Sequence, residues 1–443
     1  MVNSRALLAL LSCFLGACAS VPSRKPDDRG FDVIAYHANI VPDIRAGTLQ
    51  GSLKLRWKPT AIYANRIILD RYARMTIASV SDAGQALAFR TPQGKLEIDL
   101  PSTQAPTADR ELTIVYQSTP GYGLQMHHGY PQIYSLFSTS QWMPVVDAPD
   151  ERATLDLSVT LPADLVFTSN GEAVSNVQVA GDQRVHRWKI DRQIPSYVYG
   201  FAAAKFTEAQ VPGHIPARVL GVGFNKPELQ QIFADTQDML AYFTRRAGVA
   251  YPGTAYTQAL VVETVGQEHA DFSLLSEEYG RSVLADPRAQ GLIAHEAAHQ
   301  WWGNSITCRD WRHFWLNEGF ATFLAASYMQ HRFGDAAYQT AVSGWERRLA
   351  DLRLRGADKP LVFDAWHKPS ADDRGVVYQK GAYVLHRLRL KLGERKFWRG
   401  LRDYSRRYFD RSVTTQDFQR AMEKSSGQSL DDFFAHWAYP PKT

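Results

Sequence analysis

GLIAHEAAHQWWGN, residues 291–304, carries His295, Glu296 and His299 in the spacing H-E-x-x-H. Asp286-Pro287 reads as a helix start and Gly303 as its end, so the motif falls on one predicted helix, 286–303. Residues four apart share a helix face, which lets the two imidazoles bind one tetrahedral ion. Glu296 adjoins them at the lip of that face, able to reach a metal-bound water without being a ligand. A catalytic zinc site takes three protein ligands and leaves a fourth position open, so one more donor is required. Glu318 in WLNEGFAT is the candidate: eighteen residues separate it from His299, and it opens the next predicted helix, 316–333. The other histidines, including the His127-His128 pair, lack ligand spacing and read as surface residues.

Upstream of this stretch the periodicity is that of strands. Leu53, Leu55 and Trp57 alternate with polar residues, as do Leu96, Ile98 and Leu100, then Leu112, Ile114 and Tyr116, then Leu155, Leu157, Val159 and Leu161. An all-β domain over residues 31–206 follows. After Pro212 the segments have helical length: 227–247, 286–303, 316–333 and 376–392. Start signals precede two late helices, Thr414 before Asp417 and Ser429 before Asp432. Residues 207–443 therefore read as a second domain, which holds the H-E-x-x-H motif.

The 443 residues are 45% apolar, which excludes a disordered chain and suits two or three domains. A formal charge of +5, from 50 Lys+Arg and 45 Asp+Glu, is dilute, and no basic run of five or more occurs. Neither a nucleic-acid partner nor a polybasic surface is expected. Three cysteines build no disulfide framework. Arg5 followed by the apolar run Ala6 to Ala17 has the order of a secretory signal and is too short to span a bilayer. The run ends in Leu15-Gly16-Ala17-Cys18, which resembles a bacterial lipobox. The reading is a signal peptide over 1–17, a lipid on Cys18 and a flexible tether over 18–30. Ala19 after the cysteine resembles the outer-membrane sorting class, facing the periplasm. Cys308 then remains as a lone thiol, read as a small buried apolar residue.

HEAAHQWWGN followed by WLNEGFA resembles the zinc signature of the M1 metallopeptidases, the gluzincin group of aminopeptidase N and leukotriene A4 hydrolase. VVYQKGAYVL, residues 376–385, is similar to the family's tyrosine-bearing segment. WMPVVDAPDERATLDLSVTLP, VFTSNGE, IPSYVYGFAAAKF and LDDFFAHWAYPP carry weaker similarity across the rest of the chain. The resemblance implies a saddle-like β-sandwich domain followed by a thermolysin-like catalytic domain. It implies one zinc per chain on His295, His299 and Glu318, with Glu296 as general base and Tyr378 as donor to the oxyanion. Peptides are the implied substrates, cut from their N-termini.

Three departures from the family bear on what the enzyme does. The segment that binds the substrate's α-amine falls on residues 267–271, where Ala270 stands in the glutamate's place. Glu268 or Asp271 then has to supply that carboxylate, and Gln141 is the candidate amine-contacting glutamine. Without compensation, discrimination for a free N-terminus is expected to weaken, giving an endopeptidase or a peptidase of relaxed specificity. Ala325 replaces an acidic residue that orients a zinc-bound imidazole, which leaves that task to another acceptor. The resemblance also implies a short form without the family's helical C-terminal domain. A catalytically relict peptide-binding lipoprotein is the alternative from another class; Glu296 and Tyr378 argue against it, because a structural zinc needs neither.

Overall fold

The computed structural model describes residues 29–60, 65–101, 109–263, 266–364 and 369–439. The signal segment, Cys18 and nearly all of the tether lie outside the described residues.

An eight-stranded sheet forms the body of the N-terminal domain. Its Phe31–Asp43 strand pairs antiparallel with Thr48–Pro59 and parallel with Arg152–Pro162. Alternation puts Leu53, Leu55 and Trp57 wholly inside while Lys54, Arg56 and Lys58 face water. A three-stranded sheet and a four-stranded sheet complete the domain. The four-stranded one reaches the second domain: Tyr134, Leu136 and Ala202 share an apolar cluster with Val261, Phe272 and Leu274.

A five-stranded sheet opens the second domain, beginning at Thr207–Val211 and edged by the short strand Gly266–Gln267. Helices follow. The Trp315–Phe333 helix packs against both the Gly291–His299 helix and the Gly381–Leu392 helix, around one large apolar core. The molecule is thus a β-rich domain followed by an α/β and helical domain. No helix among the described residues is long and apolar enough to cross a membrane.

Local structure departs from the predicted helices in three places. The 286–303 segment is a 3₁₀ turn at Pro287–Ala289 and then an α-helix ending at His299. Gly303, at φ +143°, turns the chain back so that the Asn304 N–H reaches the His299 carbonyl. The 227–247 segment is two helices, Lys226–Ile232 and Thr236–Ala247. The 376–392 segment starts with a π-turn over Val376–Lys380, a form frequent at functional sites, and Tyr378 is its middle residue.

Candidate metal centre and active site

His295, His299 and Glu318 converge, with one donor atom from each lying within 4.8 Å of the others. The imidazole Nε2 atoms are 3.0 Å apart, and Glu318 Oε2 is 3.2 Å from His295 Nε2 and 3.3 Å from His299 Nε2. Two nitrogens and one carboxylate oxygen, nearly sealed from solvent, are the donor set of a catalytic zinc. His299 and Glu318 are almost fully buried. Burial alone raises the Glu318 carboxyl, but the charge of His299 and the hydrogen bonds of both imidazoles outweigh it and hold the group low. His299 is displaced the other way: burial lowers it, and Glu318, Glu268 and Glu296 together raise it. The pocket therefore favours a cation, and a divalent ion fits it.

Each donor is positioned by its surroundings. His299 Nδ1 lies 3.1 Å from the Trp302 carbonyl, which takes the hydrogen of that nitrogen and points Nε2 into the site. This main-chain acceptor does for His299 what the resemblance assigns to an acid at position 325, where Ala325 is buried. Asn317 fixes the start of the next helix, accepting from the Cys308 N–H at 2.9 Å and donating to the Tyr197 hydroxyl at 3.0 Å. The Tyr197 hydroxyl donates to the Gly303 carbonyl at 3.0 Å, joining the two ligand-bearing segments. Cys308 is buried and unpaired by any disulfide, a packing residue in this network.

Glu296 is buried, and its Oε2 is without a hydrogen-bond partner. Burial raises this carboxyl, against the charge of His299 and with that of Glu268 and Glu318. A β-carbon built at Gly266 would meet the Glu296 carboxylate, so the edge strand passes close over that group and a larger residue there would displace it. Tyr378 stacks on His295, with ring centroids 6.0 Å apart and planes 9° from parallel. Its hydroxyl is held protonated by burial and by the charges of Glu318, Glu268 and Glu296. Lys380 anchors the π-turn that carries it, donating to Asp358 at 2.5 Å and to the Lys359 carbonyl at 2.6 Å.

Of the three residues proposed for the α-amine, Glu268 lies beside the metal site, within reach of the charges of His299 and Glu318. Glu268 is buried, accepts from Gln267 Nε2 at 2.9 Å and keeps Oε1 without a partner. Its carboxyl is raised by burial, with His299 opposing and Glu318 adding. Asp271 is turned away by a left-handed backbone, φ +69°, and is held by Arg192 at 3.2 Å. Ala270, expected at the closed end of the cleft, is wholly buried and packs in the β-domain core, its carbonyl accepting from Asn170. Gln141 acts at one remove: its side chain accepts from the Gly121 N–H at 2.9 Å, bracing the turn that carries Tyr122. Burial raises the Tyr122 hydroxyl, with Arg374 opposing and Glu268 adding, which locates Tyr122 and Arg374 near Glu268. Gly266, Asn317, Tyr122 and Arg374 were not singled out from sequence; Asn317 alone had a signal, its place beside Glu318 in WLNEGFA.

The family model described as "Peptidase M1 N-terminal domain" matches residues 33–198, and "Peptidase family M1 domain" matches 264–437. "Probable aminopeptidase 2" of Sulfurisphaera tokodaii is 24% identical over 402 residues, covering 84% of this chain and 49% of that protein. "Leucine aminopeptidase 2" of Aspergillus oryzae is 27% identical over 362 residues, covering 76% and 56%. The chain thus spans about half the length of these curated relatives. Among solved structures, an M1 zinc metallopeptidase from Deinococcus radiodurans superposes with a TM-score of 0.78 at 24% identity, covering 94% of this chain and 95% of its own. Yeast LTA4 hydrolase superposes with a TM-score of 0.80 at 20% identity, covering 96% and 72%. With both family domains matched in order and the ligand set falling within the second, the chain belongs to peptidase family M1.

Proposed function

We propose that this chain hydrolyses peptide bonds with zinc held by His295, His299 and Glu318, releasing residues from the free N-termini of peptides in the cell envelope. The observation that carries the reading is the Glu296 carboxylate, buried beside the three donors with one oxygen unpartnered. A metal kept for structure alone needs no such neighbour. Zinc in this site supplies Lewis acidity toward a water and a carbonyl oxygen. Glu296 takes the proton of the attacking water and returns it to the departing amine nitrogen. Tyr378 donates its hydroxyl hydrogen to the oxygen on which negative charge develops. Glu268 pairs with the substrate's α-ammonium, since its free oxygen offers a charge-assisted hydrogen bond that an N-acetylated peptide cannot make. The names of the relatives support exopeptidase action.

The test is a matched peptide pair, free and N-acetylated, assayed with and without a chelator. Hydrolysis of the free peptide, abolished by the chelator and restored by zinc, is the expected result; chelator-resistant hydrolysis would overturn the proposal. Membrane attachment through Cys18 is part of the same reading. Cys18→Ser is expected to block lipoprotein processing and release soluble protein wherever the precursor is cleaved elsewhere, and unchanged attachment after that substitution would contradict it.

A further inference from the structure

The sequence spaces its cations too widely to form a basic run, yet the Glu394–Tyr408 helix collects six of them on its outer side. Arg395, Arg399, Arg402 and Arg406 follow the i, i+4, i+7, i+11 spacing of one helix face, and Lys396 and Arg407 flank them. Phe397, Trp398, Leu401 and Tyr404 occupy the opposite, buried face. Among the described residues the ion pair on this helix is that of Glu394 with Arg389, so none of the six cations is neutralised by a carboxylate within 4.0 Å. Asp403 is the acid on the same outer face.

Two of these arginines are held by neutral carbonyls rather than by acids. Arg406 Nε donates to the Gly248 carbonyl at 2.9 Å, at the C-terminal end of the Thr236–Ala247 helix. Arg399 donates to the Ser425 carbonyl, at the end of the Thr415–Ser426 helix. Such bonds fix the guanidinium groups at the partly negative ends of two helices and bring no carboxylate to neutralise them. A groove of about 360 Å³ between this helix and Thr415–Ser426 continues the patch, lined by Arg407, Arg420 and Lys424 together with Glu423.

The N-terminal end of the described chain is linked by two ion pairs to the C-terminal end of this helix. Arg29 pairs with Asp150 at 2.5 Å, and Arg152, two residues on, reaches Asp410 at 3.8 Å, just past the end of the cationic helix. Ten residues separate Cys18 from Arg29, eleven steps along the chain and a reach of at most about 40 Å. A lipid on Cys18 would therefore hold this helix within reach of the bilayer surface.

We propose that the outer face of the Glu394–Tyr408 helix docks on an anionic phospholipid surface, orienting the catalytic domain against the membrane. Lipid phosphates are the complementary charge for a straight stripe of unpaired guanidinium groups, and the anchor delivers them to it. The proposal takes its reach from the Cys18 reading, and the test removes that dependence. The full chain carrying Cys18→Ser is sedimented with vesicles of phosphatidylcholine alone and of phosphatidylcholine mixed with phosphatidylglycerol. Binding is expected only to the mixed vesicles and is expected to fall as salt rises. At about a five-fold loss for each charge neutralised near such a surface, Arg395→Gln/Arg399→Gln/Arg406→Gln should weaken binding roughly a hundredfold. Lys54→Gln/Arg56→Gln/Lys58→Gln, an equal loss of charge on the β-domain, should leave it near wild type. Equal weakening by both triple variants would reduce the effect to net charge and overturn the proposal. Equal binding to both vesicle types, or binding to an oligonucleotide in place of the mixed vesicles, would overturn it as well.

Discussion

Two kinds of residue meet at the site: those that hold a metal and those that use it. Their substitutions should differ in kind. His299 has its Nδ1 fixed by the Trp302 carbonyl and its Nε2 among the donors, so His299→Ala should abolish zinc retention as read by metal analysis. Tyr378→Phe keeps every donor and removes one hydroxyl. Its zinc content should match wild type while kcat falls about 10²–10³-fold, the usual cost of one oxyanion donor. Wild-type turnover in that variant would exclude Tyr378 from the chemistry. Glu268 is tested by discrimination rather than by rate. A charge-assisted contact is worth about 1.5–3 kcal/mol, so Glu268→Gln should shrink the kcat/KM ratio of free to N-acetylated peptide by about ten- to two-hundredfold. An unchanged ratio would move the amine site elsewhere. Asp271→Asn, by contrast, breaks the pairing with Arg192 and should change stability with little effect on that ratio.

At the scale of elements, the proposed chemistry depends on how closely the Glu318 helix approaches the Tyr378 turn. Gly319 and Gly381 meet there: a β-carbon at Gly319 would lie 2.9 Å from the Gly381 Cα, which is backbone and cannot swing aside. Gly319→Ala should therefore cost about 1–3 kcal/mol of stability and lower kcat, because the strain falls between Glu318 and Tyr378, the proposed metal ligand and oxyanion donor. Thermal unfolding and kinetics on one preparation read both effects; a fully stable, fully active variant would show that the contact tolerates a methyl group. Much of this region was legible in the sequence. The H-E-x-x-H spacing and the alternation of Leu53, Leu55 and Trp57 each follow a local rule of helix or strand geometry, and Glu318 was legible as the acid in WLNEGFAT that supplies a missing third donor. The early end of the helix at His299 was not legible, because Gly303 stops the chain by turning it back onto that residue and not by ordinary capping. The fate of Asp271 depends on Arg192, 79 positions away in sequence, and the cationic stripe depends on which side of a helix is buried. Such pairings arise from tertiary packing, which no short window of sequence contains.

For the molecule as a whole, a histidine at the junction between the domains contributes to how stability responds to pH. His269 lies there, wholly buried, with Nε2 3.0 Å from the Ser135 carbonyl and its ring against Gly200 of the β-domain. Burial lowers its pKa from 6.5 to about 4, so between those values the unfolded chain binds a proton that the folded chain refuses. The stability due to this group is complete above about pH 6.5 and is lost as pH falls toward 4, by at most about 3 kcal/mol. Glu151, raised by burial to about 7, acts with the opposite sign, so a comparison of variants isolates the histidine. His269→Gln should flatten the acid limb of denaturant midpoints relative to wild type, and parallel curves would assign that limb to other groups. The two-domain frame serves one central claim, that Glu296 acts on chemistry supplied by a zinc it does not bind. The most direct measurement takes zinc content and kcat/KM for a free-amine peptide from the same samples of wild type and Glu296→Gln. About one zinc per chain in both, with a rate loss of about 10²–10⁴-fold in the variant, is the predicted result; equal rates in the two proteins, or no zinc in the wild type, would contradict it.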